Sequence, residues 1–87
     1  MALSPREEGE IFGAHLRELR TARGMTQAQL ADSARTSTPF ISQLERGVTT
    51  PTLGMLLRLA EALECRPSAL IKIFDRLPDL APKSRKD

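Results

Sequence analysis

The sequence predicts an all-α fold, with five short helices in one compact domain, and three observations carry that reading. Residues suited to cap a helix N-terminus, Ser4, Thr26, Ser37 and Thr52, each stand just ahead of apolar residues at helical spacing. Gly24, Gly47, Pro51 and Pro78 punctuate the chain between those segments. No run alternates apolar and polar residues with a period of two, and Tyr and Trp are both absent.

Each element follows in order. Ser4-Pro5-x-Glu7 starts the first helix: Ser4 caps it, Pro5 suits its first position and Glu7 can close a capping box. Phe12, Leu16 and Leu19 form its apolar face, and Gly24 stops it. Thr26 caps a second helix with Gln29 three residues on, and Leu30, Ala31 and Ala34 face inward. Arg35-Thr36-Ser37 is a tight turn. Ser37 caps a third helix, with Thr38 and Pro39 in its first turn, Ile41 and Leu44 on its core face, and Gly47 at its end. Thr52 caps a fourth helix carrying Leu53, Leu56, Leu57, Leu59, Ala60 and Leu63, which by apolar content should be the central one. A fifth helix should start near Pro67-Ser68 and run through Leu77 to Pro78. Residues 1–77 are thus expected to form the domain, and the polar stretch 78–87 a disordered tail.

Composition bounds the function. Eighty-seven residues leave room for one domain, 40% hydrophobic and 28% charged, as in an ordinary soluble globular chain. The formal charge is only +2, and residues 1–47 carry six bases and six acids. Ten of the 13 bases are Arg, whose planar fork suits phosphate and carboxylate. One cysteine, Cys65, and one histidine, His15, argue against a disulfide framework, a cysteine-rich zinc site and most triad chemistry. No cofactor and no metal are expected. The first eight residues are charged and lack the apolar stretch of a secretory signal, and no run approaches a membrane span, so a cytoplasmic setting without membrane contact is expected.

The second and third helices are short, closely joined and separately capped, the pattern of a helix-turn-helix at about residues 26–46. Periodicity alone would fit many helical hairpins. The residues are more specific. Leu16-Arg17-Glu18-Leu19-Arg20, Gly24-Met25-Thr26-Gln27-x-Gln29-Leu30-Ala31, Ile41-Ser42-Gln43-Leu44-Glu45-Arg46-Gly47, Pro51-Thr52-Leu53 and Leu56-Leu57-x-Leu59-Ala60-x-Ala62-Leu63 occur in this order. Together they resemble the Cro/C1-type (XRE-like) helix-turn-helix family over about residues 10–74. The resemblance implies a five-helix, lambda-repressor-like domain that binds operator DNA as a symmetric dimer. Among small stand-alone members, it points toward a regulator similar to restriction–modification controllers. The chain departs from the pattern at Arg35 and Glu64, which stand where the family usually has glycine, and at Val48, Thr49 and Thr50, where it often has bases. A left-handed conformation at Arg35 would cost roughly 1–2 kcal/mol.

The resemblance also implies roles. Thr38, Pro39, Ser42 and Gln43 are expected to face bases, Gln43 foremost because its amide can pair with adenine N6 and N7. The alternative for Gln43 is a solvated surface side chain. Phe40 suits either DNA contact or packing at the core edge. Phosphate contacts are expected from Gln27, Ser37, Arg46, Thr49, Thr50 and Arg35, with a solvated charge as the alternative for each arginine. Arg20 and Glu45 should instead pair internally, because an acid on the DNA face would repel phosphate.

Ile71, Ile73, Phe74 and Leu77 spread over more than one face of the fifth helix, so one face can close the core while another meets a second subunit. The expected partners are therefore double-stranded operator DNA and a second copy of the chain, with half-site centres about 34 Å apart. A second reading makes the chain an antitoxin-like interaction module with a partner protein and secondary DNA binding. An enzyme is disfavoured, because no paired carboxylates, phosphate-cradling loop or nucleophile–base set is visible. Single-stranded RNA binding lacks an aromatic platform.

Overall fold

The computed structural model describes residues 3–77. They form α1 (Pro5–Ala22), α2 (Gln27–Ser33), α3 (Thr38–Glu45), α4 (Leu53–Ala62) and α5 (Pro67–Ile71), then a 3-10 segment at Lys72–Arg76. The tail expected at 78–87 lies outside the described residues. Among the described residues there is no strand, and no helix is long and apolar enough to cross a membrane.

The N-terminal ends form as their caps dictate. Ser4 Oγ accepts the Glu7 N–H at 3.2 Å while Glu7 Oε1 accepts the Ser4 N–H at 2.8 Å, a closed capping box. The bond from the Ser4 backbone N–H, helped by the nearby Ser4 hydroxyl, holds the Glu7 carboxyl below its ordinary range. Thr26 and Gln29 repeat the arrangement at α2, at 3.0 and 2.9 Å. Ser37 and Thr52 cap α3 and α4 by accepting the N–H groups of Phe40 and Met55.

The four longer helices also end alike. Gly24, Arg35, Gly47 and Glu64 follow the C-caps of α1 to α4 and all have positive φ, of 69°, 60°, 78° and 55°. At each end the next residue's N–H reaches back to a carbonyl five residues earlier, as Thr36 does to Ala31 at 2.9 Å and Cys65 to Ala60 at 3.0 Å. This is the Schellman closure, which satisfies orphan carbonyls and turns the chain sharply. Two of the four positions are occupied by residues with a Cβ, so Arg35 and Glu64 carry the backbone strain that their sequence position implied.

Phe12 and Leu16 from α1, Leu30, Ala31 and Ala34 from α2, Ile41 and Leu44 from α3, and Met55, Leu59, Ala60, Leu63 and Leu70 form the core. Three points differ from expectation. α4 is not the sole centre: α1 packs on α3, α5 and the 3-10 segment, while α4 packs on α2 and α5. Leu53 and Leu57 of α4 point outward, 72% and 48% exposed. The fifth helix keeps α-geometry only to Ile71 and then tightens, with the Leu77 N–H bonded to the Phe74 carbonyl. Such tightening is a common way to satisfy groups at a helix end. Here it leaves Phe74 packed against the core edge and Ile71 exposed.

α1 approaches α3 unusually closely. A Cβ on Gly13 would sit 2.7 Å from the Glu45 carbonyl oxygen and nearer still to that of Leu44. A Cβ on Gly9 would lie 2.8 Å from the Gly47 carbonyl oxygen. The two glycines, one turn apart, form the groove that receives the end of α3.

Candidate nucleic-acid interface

α3 has two chemically distinct sides. At about 100° per residue, Thr38, Ser42, Arg46, Pro39 and Gln43 fall within an arc of about 140°. Thr38, Pro39, Gln43 and Arg46 are exposed and Ser42 is half-buried. Ile41 and Leu44 on the opposite side are fully buried, and Phe40 is half-buried against the core. Phe40 therefore takes the core-edge place of its two alternatives.

The inward side is fixed by charge as well as by apolar packing. Arg20 Nε and Nη2 donate to the two carboxylate oxygens of Glu45 at 2.6 and 3.0 Å, and Arg20 Nη1 donates to the Met25 carbonyl at 2.8 Å. The side chains are only 10% and 3% exposed. Hydrogen bonding to Glu45 raises the Arg20 guanidinium above its ordinary range, against the opposing effect of burial. Gln27 Nε2 completes the group by donating to Glu45 Oε1 at 3.0 Å. The side-chain amide of Gln27 thus has a partner inside the domain. Its backbone N–H, at the first position of α2, is one of the amides a helix start leaves without an intrahelical partner.

Arg46, Thr49 and Thr50 line one cleft of about 590 Å³, with Pro5, Arg6, Glu10, Gly47 and Val48 on its other walls. Ser37 and Arg35 are exposed on the turn at the opposite end of α3, and Ser37 Oγ is engaged as the cap. Of the residues expected to contact phosphate, Arg35 and Ser37 precede α3 and Arg46, Thr49 and Thr50 stand at or after its end, whereas the side chain of Gln27 is turned onto Glu45.

Sequence reasoning missed several supports of this surface. Arg6 joins the cleft and is paired with Glu10 at 3.1 Å. Arg58 Nε donates to the Ala34 carbonyl at 3.1 Å, tying α4 to the turn between α2 and α3. His15 Nε2 donates to the Ala69 carbonyl at 2.8 Å and joins α1 to α5. No spacing rule exposes the last two contacts, which cross 24 and 54 residues, whereas the Arg6–Glu10 pair is an ordinary four-residue helical spacing. Gly9 and Gly13 did carry a signal: glycine costs about 1 kcal/mol within a helix, so a pair four apart implies close packing. Cys65 is half-buried at the turn between α4 and α5, and burial pushes its thiol pKa up, which makes it a poor nucleophile. Among the described residues no group of three or more His, Cys, Asp or Glu could hold a metal ion.

A short capped helix, a four-residue connection (residues 34–37) and a second helix with one side exposed make up a helix-turn-helix. The chain belongs to the Cro/C1-type helix-turn-helix family, whose pattern, described as Helix-turn-helix, matches residues 16–70. It is 49% identical over 45 residues to the HTH-type transcriptional regulator DdrOP3 of Deinococcus deserti, a match covering 52% of this chain and 35% of that protein. The chain thus spans about a third of that relative's length. Its fold is similar to the restriction-modification controller protein C.AhdI from Aeromonas hydrophila, with a TM-score of 0.72 and 38% identity over 74% of this chain and 97% of the other. It is also similar to the P22 c2 repressor protein in complex with a synthetic operator, with a TM-score of 0.65 and 37% identity over 69% and 91% of the two chains.

Proposed function

We propose that this chain is a sequence-specific, DNA-binding transcriptional regulator that reads a two-fold symmetric operator as a homodimer, with α3 in the major groove. The observation that carries the reading is the outward arc of α3. Thr38, Pro39, Ser42 and Gln43 lie on it, while the acid of that helix, Glu45, is neutralised beneath. In this reading those four residues face base edges, and Gln27, Ser37, Arg35, Arg46, Thr49 and Thr50 hold phosphates. The domain is residues 1–77, and it works in the cytoplasm without a cofactor. The similarity to a restriction-modification controller and to a repressor bound to its operator supports a regulatory role.

Dimerisation is assigned to the surface around Ile71, Ile73, Phe74 and Leu77. Ile71 and Phe74, with Leu56, Pro51 and Phe12, line an open groove of about 330 Å³. Leu53 and Leu57 stand exposed on the adjoining α4. Exposed apolar area of this kind marks an association surface. The same exposure favours the second reading, an antitoxin-like module whose apolar surface takes a different protein. Sedimentation separates the two: the homodimer reading expects a dimer at micromolar concentration, and a monomer there would favour the other. DNA binding is tested by selecting bound sequences from a random duplex pool. Recovery of a two-fold symmetric motif with half-site centres about 34 Å apart is expected, and recovery of no motif would defeat the assignment.

A further inference from the structure

The outward side of α3 is short of cations and acids in a way that constrains what it can read. Its first two turns present the amide of Gln43, the hydroxyls of Thr38 and Ser42, the Thr38 methyl and the ring of Pro39. The one cation on the arc, Arg46, is the C-cap, and it lines the cleft with Thr49 and Thr50. Guanine is most often recognised by Arg or Lys on its O6 and N7, and cytosine by an acid accepting from its N4. The only acid of α3, Glu45, is 3% exposed and bonded to both Arg20 and Gln27. Neither half of a G·C pair therefore meets its usual partner. The groups that remain suit A·T: an amide for adenine N6 and N7, and apolar carbons for the thymine methyl. Pro39 and Gln43 lie four residues apart, about 6 Å along the helix axis, which corresponds to roughly two base-pair steps.

We propose that α3 reads an A·T core in each half-site, with adenine under Gln43 and a thymine methyl against Pro39 and Thr38 about two base pairs away. This rests on the DNA-binding assignment above and narrows it to a class of site.

The test uses the full chain and a random duplex pool, followed by competition with deoxyuridine in place of single thymines. The enriched half-site should carry A·T pairs at the positions that respond to Gln43→Ala, a variant expected to lose about five- to 150-fold in preference. One thymine-to-deoxyuridine change should weaken the wild type about fourfold, the effect of one buried methyl, and should weaken Pro39→Ser much less. Arg35→Ala, which removes an exposed cation from the turn before α3, should weaken binding to all duplexes alike but leave the base preference unaltered. Circular dichroism confirms that each surface variant is folded. A selected core of G·C pairs that depends on Gln43 or Arg35, or indifference to every deoxyuridine change, overturns the A·T assignment while DNA binding stands. Failure to bind any duplex at low salt overturns both.

Discussion

The guanidinium of Arg20 on α1 grips the carboxylate of Glu45 on α3 through two parallel bonds, Nε to Oε2 at 2.6 Å and Nη2 to Oε1 at 3.0 Å. The pair reinforces the burial of the side of α3 that also carries Ile41 and Leu44. Glu45 sits at the last position of the helix, one residue from the exposed Arg46, and faces inward, where Arg20 and Gln27 meet it.

Breaking one side of this pair leaves a buried charge unmatched. Arg20→Ala should cost about 3–5 kcal/mol, which for a domain this small approaches its whole stability. The variant is expected to be largely unfolded by circular dichroism at room temperature. A thermal melt that matches the wild type would remove the structural assignment of Arg20 and Glu45.

Gln27 separates support from recognition. Its amide bond to a buried carboxylate should contribute about 1.5–3 kcal/mol. Gln27→Ala is therefore expected to lower the urea midpoint with no DNA present. An unchanged midpoint, combined with weaker binding, would mean that Gln27 serves phosphate alone.

Gly13 is where α1 and the end of α3 meet backbone to backbone. Alanine there is favoured by helix propensity yet would collide with the carbonyls of Leu44 and Glu45. Neither carbonyl is a flexible side-chain end, so Gly13→Ala should destabilise by about 1–3 kcal/mol. Gain of stability by chemical denaturation would show that α3 is free to back away.

Arg35 and Glu64 occupy left-handed positions, with φ of 60° and 55°. Glycine at either should relieve strain of about 1–2 kcal/mol, offset in part by a more flexible unfolded chain. A net gain of about 0.5–1 kcal/mol is expected for Arg35→Gly, raising the melting temperature by a few degrees. Glu64→Gly should gain less, since it also loses the exposed 2.8 Å pair with Arg23. A fall in melting temperature for Arg35→Gly would mean that its side chain makes a contact of its own.

Arg46 lies on the edge of the cleft rather than over the start of α3. A phosphate contact there should be indifferent to sequence. Arg46→Ala is expected to weaken binding to all duplexes alike and to shallow the salt dependence by about one ion. A change confined to one base position would move Arg46 into the reading set.

The starts of α1 to α4 were legible because they are local, although the end of the fifth helix was not. Ser4 with Glu7, Thr26 with Gln29, Ser37 with Phe40 and Thr52 with Met55 each act across three residues, within reach of a pattern in the chain. The turn after Ala34 was legible in another way: Arg35 stands where the resembled family usually has glycine, which implied an unfavourable φ there. The two sides of α3 were likewise readable from the helical period. What the chain could not state by itself was which groups would face one another once helices packed. The backbone that Gly9 and Gly13 receive, the amide of Gln27 turned onto Glu45 and the exposure of Leu53 and Leu57 all depend on how other helices pack. Local hydrogen bonds are decided residue by residue, whereas burial is decided by the neighbour that arrives. For that reason the elements and the candidate reading face belong to the sequence, and the supports that hold that face belong to the tertiary structure.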